Sequence, residues 1–176
     1  MNTQTINCIL KRTFPDSTFL GVYPSDLFPY IRENKPFCFV ANTDPSNRPG
    51  SHWVAYLRAS FNNPIEFFDS YGLPESFYGL PLHVNVKSFK SLQSPFSRVC
   101  GHYCIMYIFL RLVRRLSISD TLSCLGSYST AALRDRHVRR LLSKLVYSLP
   151  SCGAKHYIIC CNSLLNQCCF PKCEIK

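Results

Sequence analysis

The stretch "LQSPFSRVCGHYCIMYIFLRL", Leu92 to Leu112, decides how the chain is read. It opens as a polar, proline-containing loop and turns at Cys100-Gly101 into a nearly unbroken apolar run. Residues 100 to 116 are apolar almost all round. That length suits a helix buried in a protein better than one crossing a bilayer, which needs roughly 18 to 20 apolar residues. A helix without a polar face must be covered on every side, so the neighbouring segments have to supply the cover. Upstream lie "PFCFVAN" (36 to 42), "HWVAYLRA" (52 to 59), "IEFFDS" (65 to 70) and "HVNVKSF" (83 to 89). They are short, rich in aromatic and β-branched residues and separated by Pro, Gly and Asn clusters, which is the pattern of strands. Downstream, Val138, Leu141, Leu142, Leu145 and Leu149 recur at spacings of three and four, predicting an amphipathic helix near 130 to 149. The expected order is a small sheet followed by helices. This is an α+β fold, with a mixed or antiparallel sheet and a buried central helix that carries Cys100 at its N-terminus.

A chain of 176 residues, 47% of them hydrophobic, can bury one good core. Residues 1–150 read as a single domain and 151–176 as a cysteine-rich C-terminal tail. Met1 to Leu20 is polar with scattered charges and lacks a signal-peptide core. The expectation is a monomer working inside a cell, neither secreted nor membrane-bound.

The formal charge of +10 is uneven: up to residue 86 there are 6 Lys and Arg against 7 Asp and Glu, and from Lys87 onward 14 against 3. Much of the excess falls on the polar side of the downstream helix, as Arg134, Arg136, Arg139, Arg140 and Lys144. These are the candidate contacts to an anionic partner, with non-specific DNA the foremost expectation. Eleven cysteines would suggest disulfides in an exported protein, but the count is odd and no export signal is visible. Reduced thiols are expected. Cys152, Cys160, Cys161, Cys168, Cys169 and Cys173 lie near His156, yet two adjacent Cys-Cys pairs do not match zinc-knuckle spacing. No metal and no cofactor is expected.

The chemistry is read from Cys100. Unpaired N–H groups and the dipole at a helix start favour an anion, so a thiol there ionises more readily than the ordinary ~8.5. A nucleophilic cysteine needs a base within hydrogen-bond reach and a third group to orient that base. His52 begins the strand in "GSHWVAYL" and Asp69 ends the next in "IEFFDSYG". If the two strands are antiparallel neighbours, both residues fall at one edge of the pair. Gln93, seven positions before Cys100, can offer an amide donor to an oxyanion, beside the backbone N–H of Cys100. Gly101 is small enough to let a substrate backbone come close. His102 is nearer in sequence, but two helical positions turn it roughly 200° from Cys100.

At these residues the chain resembles the adenovirus protease (adenain) family and its relatives in Polinton, Maverick and adintovirus-type elements. The likeness runs from about Phe19 to Arg115. It begins with "FLGVYPSDLFP", continues through "FVANTDPSNRPGSHWVAYL" and the carboxylate 17 residues after His52, and ends with "LQSPFSRVCGHYC". The order His, Asp, Gln, Cys is shared with the SUMO-type deconjugating proteases, which implies a papain-related fold. The resemblance implies Cys100 as nucleophile, His52 as general base and acid, Asp69 as orienting carboxylate and Gln93 as oxyanion-hole donor. It places Trp53 beside the site as a packing residue and Asn42 on the cleft; with Gly101 these are the candidate substrate-side residues. It also implies viral precursor (capsid) proteins as substrates, cut after small glycine-containing sequences, a location in the virion and host nucleus, and DNA and a cysteine-bearing peptide as activators.

Two departures matter. Asp69 and Cys100 are only 31 positions apart, short for the family, and no cysteine lies between Cys38 and Cys100, where a thiol receiving the peptide would stand. Covalent peptide activation is therefore not expected, whereas DNA stimulation through the basic helix is. Two other readings stay open at this point: an isopeptidase removing ubiquitin-like modifiers, and a DNA-binding virion protein with a relic protease fold.

Overall fold

The computed structural model describes residues 1–14, 17–31, 35–82, 84, 86–88 and 90–149. A helix opens the fold where the sequence pattern shows only polar chain with scattered charges: α1 (Thr3–Thr13). Asn2 caps it, its side-chain oxygen accepting from the Thr5 N–H at 2.9 Å. Ile6, Ile9 and Leu10, spaced by three and four, form its buried side.

Five strands follow, β1 (Phe19–Tyr23), β2 (Phe37–Asn42), β3 (Trp53–Arg58), β4 (Glu66–Phe68) and β5 (Val86–Ser88), and they lie in the sheet in chain order. The outer pairs, β1 with β2 and β4 with β5, are parallel; the inner pairs, β2 with β3 and β3 with β4, are antiparallel. The sheet is therefore mixed. Every residue of β2 is buried. A strand covered on both faces reads as a continuous apolar run, and "FCFVAN" is one. Cys38 and Val40 face the helices with Ala55, Leu57 and Phe68. Phe37, Phe39 and Ala41 face the other way with Val54, Tyr56 and Phe67, under a cover of irregular chain that includes Phe28, Leu80 and Val84.

The central helix α2 (Cys100–Ile108) is buried at every position. The single helix expected over 100 to 116 divides, because a π-helical turn, Phe109–Val113, succeeds α2. Within that turn Arg111 lies inward. Its guanidinium donates to both oxygens of Glu66, from Nε at 2.8 Å and from Nη2, and Tyr107 donates to Glu66 at 3.1 Å. Phe68 stacks on Tyr107 at 4.1 Å between ring centroids. These contacts fasten β4 to the end of α2.

Two helices complete the described chain, α3 (Ile118–Leu125) and α4 (Ala131–Ser148), the latter within a residue of the range expected from its pattern. Val138, Leu141, Leu142 and Leu145 of α4 join the core shared by α1 and α2. The order is thus helix, sheet, helices rather than sheet then helices, and the α+β class holds. Among the described residues no helix is long and apolar enough to cross a membrane. No group of three or more His, Cys, Asp or Glu is placed there to hold a metal. The cysteine-rich segment 151–176, with its six cysteines and His156, lies outside the described residues, as does His83.

Candidate active site

The β3–β4 register pairs Ala55 with Phe68 and runs antiparallel, so the residues just before β3 and just after β4 share one edge. His52 and Asp69 meet there, with Nε2 of the imidazole 2.6 Å from Oδ1 of the carboxylate. Asp69 is fully buried. It accepts three further hydrogen bonds, from the Tyr71 N–H at 3.1 Å, the Leu73 N–H at 2.9 Å and the Tyr78 hydroxyl at 3.0 Å. One aspartate thus closes the turn after β4 and orients the imidazole. Burial and the adjacent carboxylate push the Tyr78 hydroxyl's pKa up, so it remains a donor.

With Nε2 committed to Asp69, Nδ1 is the ring nitrogen left for Cys100, which is hydrogen-bonded to His52 from the start of α2. Burial disfavours the charged imidazole, but the hydrogen bonds to Asp69 and Cys100 and the charges of both outweigh it, and the His52 pKa is raised to about 9. Burial pushes the Cys100 thiol up. The hydrogen bond and charge of His52, helped by the backbones of Trp53 and Gly101, more than offset that, and its pKa falls below the ordinary value. Sulfur and imidazole are tuned toward each other's charged forms. His102 stands apart: buried, near Arg139 and the amino terminus, its pKa is lowered to about 3, and its Nδ1 has no hydrogen-bond partner among the described residues.

Gln93 is buried in the loop leading to α2, and the turn after Asp69 places it. The Ser70 carbonyl accepts from the N–H groups of Leu92 and Gln93 at 2.9 and 3.0 Å, and the Ser70 hydroxyl donates to Gln93 Oε1 at 2.7 Å. That bond orients the amide, whose Nε2 donates to the Ser97 carbonyl at 2.8 Å and to the Tyr71 hydroxyl at 3.2 Å. Tyr71 in turn lies over His52, with ring centroids 4.6 Å apart and planes within 25°. Cys100, His52, Asp69 and Gln93 are brought together by three segments of chain.

The other expected residues sit differently. Asn42 is buried and its Oδ1 accepts from the Asp44 N–H at 2.8 Å, shaping the loop after β2. A side chain on Gly50, whose φ is +84°, would come within 2.4 Å of the Asn42 amide. Trp53 turns its indole N–H to the Met1 carbonyl at 3.4 Å. The space a Gly101 side chain would need is bounded by Ile6 and Met1, at 3.1 and 3.3 Å, so this glycine makes room for α1.

Of the basic residues on α4, Arg136, Arg139 and Lys144 are exposed and Arg140 is half-buried. Arg134 is turned inward, donating to the Leu92 carbonyl at 2.9 Å and to the carbonyls of Tyr128 and Ser129 at 2.9 and 3.0 Å. Asp135 beside it accepts from the Ser94 N–H at 3.3 Å and the Tyr103 hydroxyl at 3.1 Å. The first turn of α4 therefore grips the Gln93 loop from behind. Sequence reasoning missed Ser70, Tyr71, Tyr78 and Asp135. No pattern marked Ser70 or Tyr71, which stand in the turn after β4, beyond the reach of strand alternation.

The architecture of the described residues, a five-stranded mixed sheet with four α-helices, is compatible with an adenain-like α+β fold. Within that class the chain is similar to adenovirus proteases. It is 24% identical over 110 residues to the "Protease" of Porcine adenovirus A serotype 3, covering 51% of this chain and 54% of that protein. To the "Protease" of Bovine adenovirus 2 it is 27% identical over 108 residues, covering 51% and 53%. The chain spans about half the length of the curated relatives it matches. No family model matches it.

Proposed function

We propose that this chain is a cysteine endopeptidase acting on precursor (capsid) proteins of a virus or virus-like element, at small glycine-containing sequences. One observation carries the reading: a buried imidazole lies between a fully buried carboxylate, 2.6 Å away, and a cysteine at a helix start whose thiol is made more acidic by it. The likeness to adenovirus proteins named "Protease" supports a protein substrate in a viral setting.

In this reading the Cys100 sulfur, as thiolate, attacks the scissile carbonyl carbon. A C–S bond forms, and the carbonyl π pair moves onto oxygen, stabilised by the Cys100 N–H; the Gln93 amide, expected to help, is engaged by the Ser97 carbonyl and the Tyr71 hydroxyl. The His52 imidazolium gives its proton to the leaving amine as the C–N bond breaks, leaving a thioester. His52 then takes a proton from water, which attacks the thioester and returns Cys100 as thiolate. Asp69 holds the ring and stabilises its cation throughout. The exposed Arg136, Arg139 and Lys144 would contact phosphates without regard to sequence.

Cys100→Ala should abolish cleavage of a Gly-Gly-containing precursor while leaving the fold intact by circular dichroism. Undiminished cleavage by that variant would end the proposal. Iodoacetamide labelling with peptide mapping should single out Cys100 among all eleven cysteines.

A further inference from the structure

Both amide hydrogens of Gln93 are already spent, on the Ser97 carbonyl and on the Tyr71 hydroxyl. The acceptor of the second bond, Tyr71, keeps its own hydrogen: among the described residues its hydroxyl donates to none, while its ring is fixed against His52. Tyr71 is half-buried, on the wall that His52 and Gln93 share. From the geometry we propose that Tyr71 is a catalytic residue, its phenolic O–H donating to the oxyanion that forms when Cys100 attacks a carbonyl, with Gln93 polarising that O–H from behind.

The inference rests on the protease reading and deepens it. A hydroxyl that accepts a hydrogen bond is a better donor, since successive bonds polarise one another. Burial and the nearby Cys100 and Asp69 raise the pKa of Tyr71, so the proton is in place at working pH. Its position is set from three sides: the Asp69 Oδ1 accepts its backbone N–H at 3.1 Å, Gln93 meets its hydroxyl at 3.2 Å and His52 covers its ring. A donor fixed before the reaction costs no reorganisation when charge develops, which is the condition for effective oxyanion stabilisation.

The test compares wild type, Tyr71→Phe, Gln93→Ala and the double variant in two reactions of Cys100. One is acylation by an N-acetylated Gly-Gly 4-nitrophenyl ester, with Cys100→Ala as blank. The other is alkylation by iodoacetamide, which forms no oxyanion. Tyr71→Phe keeps the ring over His52. It should lower the acylation kcat by on the order of 10²-fold with KM little changed, and leave the alkylation rate and its pH profile where they were. A smaller but distinct loss should remain in the Gln93→Ala background, where the O–H is present but no longer polarised. Wild-type acylation by Tyr71→Phe overturns the inference, and so does a loss that vanishes once Gln93 is removed, because Tyr71 would then only hold the amide. An alkylation profile that shifts with the mutation overturns it too, assigning Tyr71 to His52 instead. A wild type no more reactive toward the ester than Cys100→Ala removes the protease reading and this inference together.

Discussion

Cys100 and Cys104 stand about one turn apart on α2 with opposite surroundings. Cys104 is wholly buried, its Sγ donating to the Trp53 carbonyl at 3.2 Å, and burial holds its thiol well above the ordinary value. Burial raises the Cys100 thiol too, but the hydrogen bond and charge of His52 more than offset it, and the net shift is downward. Iodoacetamide at neutral pH should therefore label Cys100 far faster than Cys104, by mass spectrometry of the mapped peptides. Activity should rise as the depressed Cys100 thiol ionises and fall as His52 loses its proton, near about 9. A rate flat across that alkaline limb would contradict the pairing. The same shift bears on stability. The folded His52 pKa exceeds its ordinary 6.5, so the His52–Asp69 contribution is complete below about 6.5 and fades as pH rises through about 9. Urea midpoints at pH 6 and pH 10 check the sign by comparison with His52→Ala, whose smaller fall over that interval is the expected result. Asp69→Asn keeps the turn but removes the charge that supports the imidazolium, and kcat should drop on the order of 10³-fold or more.

At the scale of elements, the buried contact between Glu66 on β4 and Arg111 beyond α2 is exposed to a direct trial. Glu66→Ala leaves a guanidinium without its carboxylate, which costs about 3–5 kcal/mol, read as a lower urea midpoint. Arg134 gives a second trial. Arg134→Ala frees the Leu92 carbonyl behind Gln93 and should lower kcat more than DNA affinity, the reverse of what its place on a basic helix suggests. The strands and α4 were legible because aromatic runs and 3–4 spacing report burial. The meeting of His52 and Asp69 was legible because an antiparallel pair has only one way to reverse. β1 went unread as a strand, and α1 went unread because three apolar residues among Thr, Asn and Gln make a weak pattern. That Arg134 faces inward was invisible, since a charged side chain satisfied by carbonyls looks in sequence like one in water. Ser70 and Tyr71 drew no reading at all, because a serine and a tyrosine in a turn after a strand carry no pattern of their own.

For the whole molecule, the charge excess after residue 86 leaves Arg136, Arg139 and Lys144 on one exposed face of α4. If that face meets DNA, log affinity against log salt should flatten by about 0.9 for each of the three changed to glutamine, whatever the DNA sequence. Fluorescence anisotropy over a salt series measures it, and an unchanged slope would place the contact elsewhere. The grip of α4 on the Gln93 loop has a temporal side. Sulfur, imidazole, carboxylate and amide are all translated by Cys100, yet the helix that braces the amide's loop, and four of whose residues complete the core, leaves the ribosome dozens of residues later. On the protease reading, a nascent chain would hold every reactive group well before it held a working arrangement, and proteins beside it on the polysome would be spared premature cutting.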